Sequence, residues 1–578
     1  MPNGSLETGR VYRRCLMVNE IEIEKIAVKN ALEHGGKAEG KAVLSKLIGS
    51  DRTLLNELDA LKRSVEEIVD KVNSMSIDLQ MKRADELNIN LAGERREETL
   101  DLRPLPNVGD KVVLRLPPEP SGYMHLGHAI SGMINYLYKE RYNGMLWLRF
   151  EDTNPNLVKQ EFIDSFESGY EWLGIRWDQK KFVSDDMDVI YSYAEKLIKE
   201  GVAYVCTCDQ GKIKDDRFKG LECRCRSRSI EENISLFNSA KEGGFKPGEA
   251  TVRLKIDMKS RDFALRDPSI FRVIETGYKP YHLWPLYDFA NVVEDYICGV
   301  THVLRSNEFK TTLQDYIRKL LKFEPPQVIQ FSRYNFEGTP FSKRKIRALI
   351  KEGKIDSWED IRLPTISAVR RRGIQPEAIK DFTLRSRYST SSHNYSWDLL
   401  LTLNRRILDP KTKRMFFVPS PIALDVEGAE EKDVHLRFHP SEDLGYRVLH
   451  VKEKFYVPFD DVNDMKEGER LRLKELYTVK IKNKLKEKVI AEFTSYEHRG
   501  DEKIVQWVTD DSVPITILFV GNLLNEDASF NSQSIRTVEG LAEASVNSLE
   551  QGDIIQFERF GFCILDKKEE RKFIFISR

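Results

Sequence analysis

The stretch from Lys111 to Asn143, KVVLRLPPEPSGYMHLGHAISGMINYLYKERYN, sets narrow limits on the fold. Residues 111–116 read as a short apolar strand, and Pro117, Pro118, Pro120 and Gly122 break it. Apolar residues then recur at 126, 129, 130, 133, 134, 137 and 138. That i, i+3, i+4 spacing marks one buried helical face and predicts a helix over 125–142. A strand that turns through Pro and Gly into a helix aims backbone N–H groups and a positive dipole end at whatever lies above the turn. His125 and His128 bracket Gly127 at that turn. Two imidazoles can donate hydrogen bonds to a phosphate gaining charge, and a glycine between them lets a flat base lie close to the backbone. Taken alone, the same residues suit an ordinary strand-to-helix turn with two surface histidines.

At 578 residues the chain exceeds a single core, and about three to five domains are expected. Hydrophobic residues at 40% and charged residues at 32% describe a globular protein with a well-charged surface. No apolar run approaches the roughly 18 residues of a membrane span. The first residues lack an apolar core followed by a small-residue cleavage site. With an odd number of cysteines, seven, the expectation is a reducing cytoplasm and no membrane partner. The net charge is −1, so a nucleic-acid partner would have to be held by local basic patches.

Residues 1–105 read as mostly helical. Segments around 20–34 and 42–48 precede an apolar stripe through Leu54, Leu55, Leu58, Leu61, Val65, Ile68, Val69 and Val72. The module could dock a nucleic acid or a partner protein, or act as a passive cap. The stretch 100–109, with Pro104 and Pro106, reads as a linker. From 110 to about 200, strands at 111–116 and 146–150 alternate with helices near 125–142, 160–172 and 187–199. That order predicts βαβ units, with ligands beyond the C-terminal strand ends. Glu151 and Asp152 of RFEDTNP emerge at such an end, where a carboxylate can hold an ammonium; Asp152 and Thr153 are equally natural helix caps.

Cys206 and Cys208, then Cys223 and Cys225 after fourteen residues, make two close thiol pairs that can close a tetrahedral Zn²⁺ site. The competing reading is leftover reduced thiols. Residues 355–405 look helical, and Arg370, Arg371 and Arg372 there read as a compact basic patch or a solvated face. From about 410 onward short strands follow one another between turn residues, an all-β region large enough for two barrels. Within it Lys480, Lys482, Lys484, Lys486 and Lys488 form a basic strand edge or hairpin that could track phosphates or protect a sheet edge.

The motif PEPSGYMHLGH after a strand resembles the "HIGH" signature of class I aminoacyl-tRNA synthetases, and the fuller RLPPEPSGYMHLGH resembles their glutamyl/glutaminyl branch. Phe341-Ser342-Lys343-Arg344-Lys345, after NFEGTP and before a predicted helix, resembles the second signature, the "KMSKS" loop, in an SKRK form. Lys343 matches the lysine that neutralises charge on the triphosphate. Pro340 stands where a first lysine is usual, which leaves Arg344 or Lys345 to supply a second charge. By this resemblance His125, His128 and Lys343 would be catalytic, and Pro118, Gly127, Ser342, Lys343 and Arg344 would bind ATP. YDFANVVEDYICGVTHVLR, 287–305, also matches the family pattern. It implies that Tyr287 and Asn291 line the amino-acid pocket, that Glu151 holds the α-ammonium, and that Arg305 meets a substrate carboxylate. In the glutaminyl branch the position of Arg305 is usually not arginine. An unpaired guanidinium would reject a neutral amide at a cost of several kcal/mol, roughly. With Arg115 it makes a pocket suited to glutamate.

The resemblance implies a multidomain α/β plus β chain. Its parts are an N-terminal helical appendage (1–105), a Rossmann-type catalytic domain in two halves (106–200 and 276–350), an acceptor-stem-binding insertion with a candidate zinc site (201–275), a helical connecting region (351–409) and two anticodon-binding β-barrels (410–578). The barrels place it in the archaeal/eukaryotic branch of glutamyl enzymes, since bacterial ones are helical there. The implied activity is ATP-dependent formation of glutamyl-adenylate from L-glutamate, with Mg²⁺, and transfer to tRNA(Glu), with tRNA(Gln) left open as a second acceptor. Adenylate formation would need bound tRNA. Arg370, Arg371 and Arg372 would face the tRNA, and the enzyme would be a monomer. The alternatives are a glutaminyl-tRNA synthetase or a non-catalytic tRNA-binding relative.

Overall fold

The strand Val113–Leu116 is buried along its whole length because it has neighbours on both sides. It pairs in parallel with Met145–Phe150, which pairs in parallel with Gln179–Phe182. On the other side the Thr301 N–H donates to the Val113 carbonyl (3.0 Å) and the Val113 N–H donates to Thr301 Oγ1 (2.9 Å). A second parallel pair, His302–Ser306 with Gln327–Phe331, starts from that junction. Strands covered on both faces read as near-continuous apolar runs, and Leu114, Leu116, Leu146, Leu148 and Phe150 form the core with Leu126, Ile130 and Phe166 from the covering helices. Those helices, Leu126–Arg141 and Gln160–Trp172, stand where the 3.6-residue period puts them.

The computed structural model describes residues 8–33, 37–50, 58–75, 77–87, 102–386, 393–500 and 502–578. The chain divides into two units, Met1–Leu100 and Asp101–Arg578. In the first, the helices Thr8–Glu33, Gly40–Ser50, Leu58–Asn73 and Ile77–Glu86 pack through Ala27, Val28, Val43, Leu47, Leu61, Val65, Val69 and Val72. Leu54 and Leu55 of the expected stripe lie outside the described residues. In the second, the expected linker is not free: Leu102 and Leu105 are buried in the core of the parallel sheet.

Between the two parallel pairs the chain inserts a four-stranded antiparallel sheet, Ala203–Cys206, Thr251–Leu254, Ser269–Val273 and Leu283–Pro285. After them come the helices Ile366–Arg371, Pro376–Ser386 and Trp397–Leu408. The stretch before Pro364, expected to be helical, is a series of turns: Asp360 accepts from Arg362 N–H at 3.0 Å, and its carbonyl accepts from Leu363 N–H at 2.9 Å.

The remainder forms two seven-stranded sheets, one inserted within the other, and a two-stranded hairpin of Lys432–Arg437 with Tyr446–Val451. In the outer sheet the edge strands are Lys413–Met415 and Phe417–Pro419, separated only by Phe416. In the inner sheet they are Lys503–Val505 and Val508–Thr509, separated only by Gln506 and Trp507. Two edges joined by one or two residues must lie side by side, so each sheet curls into a near-barrel and leaves little edge to aggregate. The seams meet, with the Phe416 and Trp507 rings 5.5 Å apart and both side chains fully buried. The lysine-rich strand Thr478–Lys484 is interior to its sheet, not an edge; it continues as a hairpin into Lys488–Ser495. Lys482 pairs with Glu427 and Lys488 with Asp425.

Candidate active site

Helix Leu126–Arg141 begins at His125, whose extended backbone (φ −130°) ends the Pro-rich turn. The turn is clamped from outside: Leu126 N–H donates to the Pro364 carbonyl (2.8 Å) and Ile366 N–H to the Met124 carbonyl (3.0 Å). The two imidazoles stack with centroids 3.7 Å apart. His128 Nδ1 accepts from the His125 backbone N–H at 3.3 Å, so a neutral His128 carries its proton on Nε2. Burial, with Lys343 next in size, pushes His125 down to about 3; burial and His125 push His128 well down. Both rings are therefore neutral donors near pH 7. What lies against Gly127 is the His125 ring, 3.1 Å from where a Cβ would sit, so here the glycine makes room for the histidine.

The second signature closes on this turn. Ser342 caps the helix Lys343–Lys351, and Lys343 opens it. Lys343 Nζ donates to Ser121 Oγ (2.7 Å), Arg347 Nη2 donates to the Ser121 carbonyl (3.0 Å), and the Phe341 ring stands edge-on to His125 at 5.3 Å. Burial lowers the Lys343 ammonium from its ordinary range. Arg344 is exposed. Lys345 points elsewhere, donating to the Ala528 carbonyl of the outer near-barrel (2.7 Å).

Beside the two signatures lies a buried charge network. Helix Tyr287–Ile297 carries Tyr287, Asn291 and Asp295 at i, i+4 and i+8, hence on one face. Asp295 receives Arg115 (2.8 Å), Arg149 (3.0 Å) and Arg318 (3.4 Å). Burial pushes its carboxyl up, but the three guanidinium groups together hold it below the usual carboxylate range. Arg115 Nη2 and Arg149 Nη2 both donate to Asn291 Oδ1 (3.0 and 3.2 Å), and Arg149 pairs with Glu151 Oε1 (2.9 Å). Arg115 is thus not a fork open to substrate as expected, because Asp295 and Asn291 hold its Nε and Nη2. Asp152 caps no helix: its carboxylate accepts from Ser184 N–H (3.0 Å) and Tyr278 OH (3.1 Å). The Pro118 carbonyl accepts from Glu151 N–H (2.9 Å) and so sets where Glu151 emerges.

Arg305, at the end of the strand His302–Ser306, differs from its neighbours. It is buried, and its Nη1 donates to Gln314 Oε1 (3.0 Å), while Nε and Nη2 have no hydrogen-bond partner among the described residues. Glu151 Oε2 and Asn291 Nδ2 are likewise buried without partners. The Tyr287 ring packs 5.5 Å from Phe309, and the Arg305 guanidinium lies 5.8 Å from the same ring.

One more sequence reading changes here. Arg370, Arg371 and Arg372 do not form one basic patch: Arg371 pairs with Asp566 of the outer near-barrel (2.6 Å) and Arg372 is buried against the Trp397 ring (4.5 Å), leaving Arg370 exposed. Sequence reasoning passed over Arg149, Asp295, Gln314 and Ser121. The helical spacing of Tyr287, Asn291 and Asp295 could have exposed Asp295, and the strand alternation of Arg149 with Glu151 could have exposed Arg149. Gln314 and Ser121 left no such sign.

The four cysteines of the insertion converge, their sulfurs all within 4.8 Å of one another. Cys206 and Cys223 are 3.8 Å apart and Cys208 and Cys225 3.7 Å. Four thiolates on a tetrahedral Zn²⁺ with bonds of about 2.3 Å would stand ~3.8 Å apart, so the donor set fits that ion.

Comparison with known proteins agrees with this architecture. The family model for the catalytic domain of class I tRNA synthetases (E and Q) matches residues 111–410. Two anticodon-binding-domain models of the same family match 412–497 and 504–566. A glutamate–tRNA ligase of Pyrococcus furiosus is 37% identical over 96% of this chain and 99% of its own length. Relatives of that name from Nitrosopumilus maritimus (37%, 96% and 98%) and Methanocaldococcus jannaschii (35%, 96% and 99%) are similar throughout as well. By full-length similarity and by both kinds of domain, the chain belongs to the E and Q group of the class I tRNA synthetases.

Proposed function

We propose that the protein is a glutamate–tRNA ligase, which joins L-glutamate to ATP as glutamyl-adenylate and passes the glutamyl group to the terminal adenosine of tRNA(Glu). The observation that carries this is the set of buried polar atoms without partners: Arg305 Nε and Nη2, Asn291 Nδ2 and Glu151 Oε2. Native interiors rarely leave such atoms unsatisfied. These atoms supply donors with a positive charge and one carboxylate oxygen, the complement of an amino acid with an ammonium and a side-chain carboxylate. A neutral amide would leave the Arg305 charge unmatched. The names of the similar archaeal proteins support the same substrate.

In this reading the glutamate α-carboxylate attacks the α-phosphate in line, and the protein's work is positioning and charge stabilisation. Glu151 holds the ammonium. His128, with its proton on Nε2, donates toward the phosphate as charge develops; His125 keeps that ring in place by stacking; Lys343 neutralises the departing pyrophosphate. Mg²⁺ bound with ATP would supply further charge neutralisation on the phosphates. Cys206, Cys208, Cys223 and Cys225 would hold a structural Zn²⁺ that stiffens the insertion. Arg370 is the member of the arginine run available to tRNA. The enzyme would act as a monomer in the cytoplasm.

The test is charging of purified tRNA(Glu) and tRNA(Gln) with labelled glutamate and glutamine. Glutamyl-tRNA is expected. Glutaminyl-tRNA as the main product would favour a glutaminyl enzyme. No charging and no ATP–pyrophosphate exchange with any tRNA would favour a non-catalytic binder.

A further inference from the structure

Four buried guanidinium groups surround the network beside the two signatures, and three of them share one carboxylate: Arg115, Arg149 and Arg318 all meet Asp295. Arg305 alone of the four meets no carboxylate among the described residues. Its single hydrogen-bond partner among the described residues is the amide oxygen of Gln314, a buried residue on helix Thr312–Leu321. The amide's orientation is fixed by its neighbours: a guanidinium only donates, so Gln314 presents Oε1 to Arg305, and Nε2 then donates to Asp288 Oδ1 (3.0 Å). The Asp288 carboxylate is thus linked to Arg305 only through the neutral Gln314 amide, one side chain away. One hydrogen bond anchors Nη1 of the guanidinium, while among the described residues its other two nitrogens stay without a partner.

We propose that Gln314 is a specificity-determining positioning residue: by orienting Arg305 through a neutral acceptor and keeping Asp288 off it, Gln314 leaves the guanidinium charge to the substrate's side-chain carboxylate. This rests on the glutamate reading above. A carboxylate at position 314 would form an ion pair with Arg305 in the empty enzyme, and the substrate would then have to compete with it.

The test exchanges the two groups without changing net charge: Gln314→Glu together with Asp288→Asn. The asparagine amide can donate to the new carboxylate as Gln314 now donates to Asp288, so the hydrogen-bond chain survives with the charge moved next to Arg305. Gln314→Met, which removes the hydrogen bond and adds no charge, is the companion variant. For the exchanged enzyme the expectation is a rise of roughly 10- to 100-fold in KM for glutamate, with KM for ATP and the thermal midpoint near native values and a smaller preference for glutamate over glutamine. Gln314→Met should raise KM for glutamate by less than about 10-fold. If the native enzyme prefers glutamate and the exchanged enzyme keeps the native KM for it, or if both variants lose it equally, Gln314 has no such role. If the native enzyme itself prefers glutamine, the glutamate reading fails first.

Discussion

Lys343 Nζ donates a 2.7 Å hydrogen bond to Ser121 Oγ, tying together two turns that lie 222 positions apart in the chain. The pairing places an ammonium beside the stacked imidazoles while a hydroxyl, not a carboxylate, is its close partner; Glu119 stands farther off at 3.9 Å. Its charge is therefore largely available to a polyphosphate. Lys343→Met should lower the rate of adenylate formation by about 10²–10³-fold and leave KM for glutamate nearly unchanged. Pre-steady-state ATP–pyrophosphate kinetics with tRNA present would measure both.

The neutral histidines give a pH prediction. His125 has a folded value of about 3 against an ordinary 6.5. Between those values the unfolded chain binds a proton that the folded chain does not, so this contribution is intact above 6.5 and is lost as pH falls toward 3. Thermal midpoints should fall with acidification through that window, and less steeply in His125→Asn. The pH profile of kcat should show no inflection near 6.5 from either ring.

Gly169 lies on helix Gln160–Trp172, where a Cβ would run into Met124 Sδ, the residue just before His125. The Met124 N–H donates to Ser165 Oγ on the same helix (3.1 Å). Gly169→Ala should push the histidine turn, costing about 1–3 kcal/mol of stability and slowing adenylate formation. Denaturant melts and exchange rates check the two effects.

The sulfur spacing of the insertion predicts one Zn²⁺ per chain by elemental analysis. Cys208→Ser should weaken its retention against a chelator. Chelation should lower the thermal midpoint and expose the sheet Ala203–Cys206, Thr251–Leu254, Ser269–Val273 and Leu283–Pro285 to hydrogen exchange, because a closed four-thiolate site contributes to folding rather than to chemistry.

The strands and helices around the turn were legible because their signals are local. The apolar spacing of 126–138, the Pro cluster and the helices 160–172 and 187–199 need only near neighbours in sequence. The candidate site was legible in its motifs, which place His125, His128, Glu151, Arg305 and Lys343 at strand ends and helix starts. What failed depended on distant partners. Nothing near Arg115 announces Asp295, 180 positions away, and nothing near Arg371 announces Asp566. Arg372 looks like one more surface charge until Trp397 covers it. The curling of the two sheets rests on seams at Phe416 and Trp507, which read in sequence as ordinary aromatic residues of short strands.

The most direct test of the glutamate pocket is the ratio of kcat/KM for glutamate over glutamine in the native enzyme and in Arg305→Ala, measured with tRNA and saturating ATP. The native ratio should be far above one. It should fall by roughly 100-fold or more in the variant, through loss of glutamate use and with KM for ATP held. A variant that keeps the native ratio would contradict the assignment of Arg305 to the substrate carboxylate, and with it the account of the unpaired buried atoms.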